Sequence, residues 1–349
     1  MAAYTTIDDP EAYFQTAPLW TGNGSTRSIT LGGDTDMQPD LVWIQNRGGT
    51  YASPIFDSVR GATKFVETAD TNAENTESDS LTGFNSDGFA LGADSSSYVN
   101  RSSSPNTYAA WCWKAGGSGS SNSEGDITAT VSADTTGGFS IMKFTGNGSH
   151  SQSIGHGLNG TPTFWGVKNL TDDGVDFTCY LKGTDRIKLN TTEVMEQNYL
   201  MSASSTTLTT PSNAAWVGGV SGKDYIIWAW QQLQGYSQFG NYKGNGNADG
   251  TFIYTGFRPA FFMLKSSSAA GEDWRICDNK RDPENVMDRT LKPNTTGAEA
   301  DADVMDFCSN GVKLRTTDGG VNYSGRTYIY MAFAEAPFVN SEGVPCNAR

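Results

Sequence analysis

The sequence predicts an all-β protein built from three tandem β-sandwich modules, and three observations carry that prediction. One motif occurs three times in the same order, an internal repeat that shapes every later reading. It opens on a Gly-Asn-Gly turn (Gly22-Asn23-Gly24, Gly146-Asn147-Gly148, Gly244-Asn245-Gly246). It continues in an apolar run opened by Pro39, Pro162 or Pro259, and ends in an aromatic strand begun by Tyr108, Tyr225 or Tyr328. Proline and tyrosine are 69, 63 and 69 residues apart, so each copy is domain-sized and long enough to own a core. The 40 glycines, with Ser and Thr crowded between short aromatic and β-branched runs, suit antiparallel sheet. No segment sustains a helical period; the best helix candidate, 191–200, is short.

The elements follow in order. Residues 1–15 have no full counterpart in the other copies and read as an N-terminal docking arm, suited to joining a neighbour's sheet edge. Module one spans 16–115, a flexible Gly/Ser linker 116–125, module two 126–234, module three 235–338 and a polar C-terminal tail 339–349. In each module an aromatic residue (Trp20, Phe144, Tyr242) precedes the Gly-Asn-Gly turn, and Asn-Gly signals a hairpin because both residues tolerate positive φ. Strands are expected next at 28–31, 152–154 and 251–254. Proline then opens a strand where its missing N–H does least harm, and the continuous apolar run places that strand centrally. Further strands are expected at 54–56, 177–180 and 274–277, and again at 86–91 and 309–314. Module two departs at this last element; its nearest counterpart is 213–217. In the closing strands Trp111 and Trp113, like Trp228 and Trp230, share one face by the period of two. The residues between them are apolar as well, so both faces are expected to be buried.

The formal charge of −14 opposes binding to nucleic acid or anionic membrane, which needs Lys and Arg. No apolar run approaches the roughly 20 residues that span a bilayer, and residues 1–9 lack the features of a signal peptide. Five cysteines, an odd number without a CxxC pair, do not form a disulfide framework. Cys112 lies in a closing strand, and Cys179 and Cys277, 17 and 18 residues after their module's proline, also read as core residues.

No catalytic, cofactor-binding or metal-ligating residue is expected. His150 and His156 occur only in module two and have no triad or zinc signature around them. Carboxylates cluster at Asp172, Asp173 and Asp176 and at Asp301, Asp303 and Asp306, the pairing that glycoside hydrolysis or a Ca²⁺ loop would need, but no pair recurs in all three modules. The Gly-Asn-Gly turns lack the helix that a phosphate loop requires.

The strings TGNGS, PDLVWIQNR, FDSVRGATK, FNSDGFALG and TYAAWCWKAGG, between Thr21 and Gly117, resemble a repeated module of unassigned function in marine bacteriophage, cyanophage-like virion and tail proteins. The third copy matches through Gly244, Pro259, Arg281, Gly311 and the ending at Tyr328–Phe338. The second keeps Gly148, His156-Gly157, Pro162, Trp165 and Trp228. The opening TIDDPEAYFQT resembles the start of such proteins. The resemblance implies concanavalin-like or jelly-roll-like sandwiches in a virion component made in the host bacterial cytoplasm, and carries over no catalytic residue. The expected function is a virion structural protein forming a tail fibre, spike or surface decoration. Its expected partners are other virion proteins, further copies of itself, with a trimer as one arrangement, and host surface glycan. The alternatives are a carbohydrate-binding adhesin at the tail tip and a polysaccharide depolymerase.

Overall fold

A computed structural model describes residues 4–346 apart from 52, 97, 104–105, 183–185 and 213–215, and apart from the side chain of Asp303. Among the described residues the protein is all-β, with a single 3-10 turn at Pro10–Ala12. Among the described residues six antiparallel sheets fall into three successive pairs, each setting the sheet that holds the closing strand against a second sheet; the first of these is the larger in pairs one and two, and both have four strands in pair three. In the first pair the larger sheet sets Thr107–Trp113 between Phe14–Thr16 and Leu41–Asn46, followed outward by Pro54–Asp57 and Lys64–Glu67; the smaller sheet holds Arg27–Ile29, Gly88–Leu91 and Leu81–Asn85. The second and third pairs repeat this around Asp224–Trp230 and Thr327–Pro337.

Each closing strand is buried on both faces, and the faces go to different places. Tyr108, Ala110 and Cys112 point into the core of their own pair, as do Tyr225, Ile227 and Ala229 in the second and Tyr328, Tyr330 and Ala332 in the third. The alternate residues Trp111 and Trp113, Trp228 and Trp230, and Met331 and Phe333 enter one common core between the three sheets that hold the closing strands. This explains why the closing strands show no polar alternation: a strand with packing on both sides has no solvent face to mark.

The repeated turn has a repeated job. Trp20 stacks on Tyr108, Phe144 on Tyr225 and Tyr242 on Tyr328, with ring centroids 5.4, 5.4 and 4.9 Å apart. The chain then crosses from the closing strand's sheet to the second sheet of the pair, so the turn is an inter-sheet connection and not the hairpin expected. The asparagine side chain accepts the N–H two residues on (Ser25, Ser149 and Asn247, at 3.0, 2.9 and 3.0 Å), and only the second glycine takes positive φ. At the first glycine a Cβ would sit 2.0 Å from the carbonyl oxygen of Arg101, and 2.4 Å from the equivalent oxygens of Val220 and Tyr323. Backbone approach, as well as turn type, demands glycine there.

Several expectations are corrected. Residues 116–125 are no flexible linker: Ser120–Asn122 forms the edge strand of the second larger sheet, paired with Ala129–Val131. Its glycines serve close packing, since a Cβ on Gly119 would meet the Val131 oxygen at 2.9 Å. The expected docking arm is spent within its own chain. Thr6 donates to the Gln234 carbonyl at 3.1 Å, Ile7 is buried in the common core, and Phe14–Thr16 is an edge strand of the first larger sheet. The C-terminal tail folds back on this segment, with Ser341 donating to Asp8. Residues 191–200 form no helix. The strand of the second pair that matches Gly88–Leu91 is Thr207–Thr209, identified by its pairing with Ser153–Gly155; of the expected counterpart 213–217, residues 213–215 lie outside the described residues. Cys179 and Cys277 are both buried but on opposite faces, in the common core and in the third pair's own core. One residue of register separates them, and in a strand one residue reverses the face.

Candidate functional site

The three sheet pairs meet along seams that repeat one another. Arg47, Leu170 and Ser267 each lie eight residues beyond their module's proline. Their carbonyls accept backbone N–H bonds from Glu299, Glu74 and Met195 at 2.9, 3.1 and 3.2 Å. Pair three thus bonds to one, one to two, and two to three, closing a ring with an approximate threefold relation.

Two seams carry a further lock. Asp57 and Arg60 are fully buried and joined at 2.6 Å, and the Arg60 N–H also donates to Asp57 while its guanidinium donates to the Ile55 carbonyl. The indole N–H of Trp228, from the second pair, donates to Asp57 at 3.2 Å. Asp278 and Arg281 repeat this geometry at 2.6 Å, and Trp111, from the first pair, donates to Asp278 at 3.1 Å. The guanidinium of Arg60 also lies 5.5 Å from the Trp228 ring, and that of Arg281 lies 5.9 Å from Trp111. Glu299 reinforces the seam between pairs three and one by joining Arg47 at 2.7 Å and Arg281 at 2.9 Å, which holds its carboxyl below the usual range against the opposing cost of burial. At the remaining seam the aspartate position is Leu181 and the tryptophan position is Met331, both buried in the common core. Among the described residues, that seam therefore has neither the aspartate acceptor nor the indole donor of the lock.

Of the candidate catalytic groups, His150 and Asp301 are exposed, and His156, Asp172, Asp173, Asp176 and Asp306 are each bonded to a neighbour. His150 is exposed, whereas His156 is buried and its Nδ1 accepts the Leu158 N–H at 3.1 Å. Burial lowers the His156 pKa. Asp172 pairs with Lys223, Asp176 with Lys188, and Asp306 with Arg315. Asp173 accepts the N–H of Ala73 at 2.8 Å. Trp111, Trp113, Trp228 and Trp230 are all buried. Among the described residues no group of three or more His, Cys, Asp or Glu is placed to hold a metal ion, and no helix is long and apolar enough to cross a membrane.

In the first pair, on the strand face it shares with Phe65, Glu67 is 8% exposed and its pKa is pushed up to about 8, by burial first and then by hydrogen bonding and repulsion from Asp70. A folded value above the unfolded one favours the protonated carboxyl. The resulting stability is present below the ordinary carboxylate range and is lost as pH rises towards about 8. The unfolding midpoint of the native chain is expected to fall across that window more steeply than that of Glu67→Gln. Parallel pH profiles in thermal melts check this.

Two open clefts lie where the N-terminal segment meets the third sheet pair and the end of the chain. One, of about 590 Å³, is acidic, with Asp8, Asp9, Glu11, Asp34 and Glu335 against a single cation, Arg258, which pairs with Glu335 at 2.6 Å. The other, of about 450 Å³, has no charged residue in its lining and is framed by Tyr4 and Tyr254 over Gln232, Gln234 and Gln238. The sequence offered little sign of this second cleft, because its two tyrosines are 250 residues apart.

A family match runs from residue 9 to residue 337, across all three sheet pairs. The chain belongs to the DUF7483 family. DUF7483 is a domain of unknown function, and its match covers 9–337 as one unit. No curated protein and no solved structure matches the chain.

Proposed function

We propose that this DUF7483 chain is a structural component of a bacteriophage virion, a rigid block that forms part of a tail fibre, spike or surface decoration. The observation that supports it most is the common core: three sandwiches are welded by buried aromatics and ion-pair locks into one body, which suits a part that carries load or holds a surface in place. The resemblance of the repeated strings to phage virion modules points the same way. The chain also sets three modules around one axis by itself, an arrangement that fibre proteins often build from three chains.

A second reading, a carbohydrate-binding adhesin at the tail tip, is favoured by the uncharged cleft with its two exposed tyrosines. The depolymerase reading is weaker, since the candidate carboxylates Asp172, Asp176 and Asp306 are each committed to a cation. The test is mass spectrometry of purified particles from the phage that encodes the chain, followed by assignment of its density in a particle reconstruction. The polypeptide is expected at stoichiometric level on the tail or head surface. Particles without it would overturn the proposal.

A further inference from the structure

We propose that the cleft between Tyr4 and Tyr254 binds an uncharged saccharide, held by the two tyrosine rings and by the side-chain amides of Gln232, Gln234 and Gln238. The argument begins with charge. The chain has 38 acidic residues and a net charge of −14, yet none of the cleft's lining residues is charged. The surrounding field repels anions, and the cleft offers no carboxylate to attract a cation. Amides supply both donors and acceptors without a formal charge, which matches the hydroxyl groups of a neutral sugar.

The rings supply the apolar half of such a site. Tyr254 is 63% exposed and Tyr4 59% exposed, while both flank a concave surface. A ring face open to solvent above polar amides is the combination that an amphipathic ligand uses. Neither ring is loosely placed. Tyr254 sits on the strand Phe252–Tyr254, whose middle residue Ile253 is buried. Tyr4 is followed by Thr5 and Thr6, which bond to the Gln234 carbonyl at 3.2 and 3.1 Å, and by the buried Ile7. Gln238 sits on the strand Ser237–Lys243, whose neighbours Ser237 and Phe239 are buried.

The platform continues beyond the cleft. Phe252, 45% exposed, lies on the same strand face as Tyr254, about 7 Å along by strand geometry. It passes over Gly311, where a Cβ would come within 2.8 Å of the ring. Successive rings on one face suit a chain of sugar units better than a single compact ligand. A peptide added by strand pairing is disfavoured in the cleft itself, because the N–H groups of Thr255 and Gly256 are already spent on the Asn310 carbonyl at 3.1 and 3.2 Å.

The inference gives the display role proposed above a ligand, but binding by the isolated chain would stand even if particles lacked the protein. The experiment presents the full-length chain to an array of neutral oligosaccharides and uronate-containing ones, with Tyr254→Ala and Gln232→Ala in parallel and melting curves recorded for all three. The expected result is binding to at least one neutral oligosaccharide, weakened about tenfold or more by Tyr254→Ala, with unchanged melting because the ring is exposed. No binding to any neutral oligosaccharide, binding undiminished in both variants, or preference for the uronates would overturn it. So would capture of an extended peptide at this cleft in place of a sugar.

Discussion

Asp57→Ala is expected to destabilise the whole chain by about 3–5 kcal/mol, the usual cost of leaving one member of a buried ion pair without its partner. The side chains of Asp57 and Arg60 are both fully buried. Removing the carboxylate strands a guanidinium whose other acidic neighbour, Glu74, is 3.7 Å away, and it also strands the indole N–H of Trp228 in the next sheet pair. The chain contains its own control. At the third seam Leu181 stands for the aspartate and Met331 for the tryptophan, and the sequence has Thr184 at the arginine's place. The triple change Asp57→Leu, Arg60→Thr, Trp228→Met copies that seam, removing the buried charges together, and is expected to recover a large part of the loss. Guanidinium denaturation midpoints of the native, single and triple variants check this. A single variant within about 1 kcal/mol of native would refute the lock.

Trp113→Ala is expected to cost about 3–5 kcal/mol, the range for truncating a buried tryptophan. Trp113 is 1% exposed and touches rings from all three sheet pairs: Phe14 at 5.0 Å, Trp230 at 5.8 Å, Phe333 at 5.4 Å and Phe261 at 5.8 Å. Because this core is shared, the loss should lower one common transition and not release one module alone. Calorimetry of the native chain is expected to show a single cooperative unfolding event, and Trp113→Ala the same event at lower temperature. Three separable transitions in the native chain would mean that the common core does not couple the pairs.

Much of the architecture is legible in the sequence. The Gly-Asn-Gly turns, the proline-led runs and the closing aromatic strands are local signals, and each marks an element found in all three sheet pairs. The errors have local causes too. Ser and Gly in 116–125 read as a flexible linker by composition, but composition cannot register that a backbone passes close enough to Ala129–Val131 to pair with it. Residues 1–15 read as an arm because they have no repeat partner; their partners are Gln234 and Ser341, far along the chain. The candidate cleft was hidden for the same reason, since Tyr4 is brought beside Tyr254 by the docking of Thr5 and Thr6 on Gln234.

By itself, the sequence determined the strand class, the threefold repetition and the apolar character of both faces of Thr107–Trp113 and its equivalents, because periodicity and turn chemistry act over a few residues. Only the tertiary structure decided which face each residue serves. Trp111 and Cys112 are neighbours of similar burial, yet one enters the common core and the other its own module's core. The same decision makes sense of Leu181 and Met331. In the sequence they are two unrelated departures from a repeat, 150 residues apart. In the fold they stand at the two positions of one seam, where an unpaired aspartate or indole would carry a desolvation cost that neither substitution alone could remove.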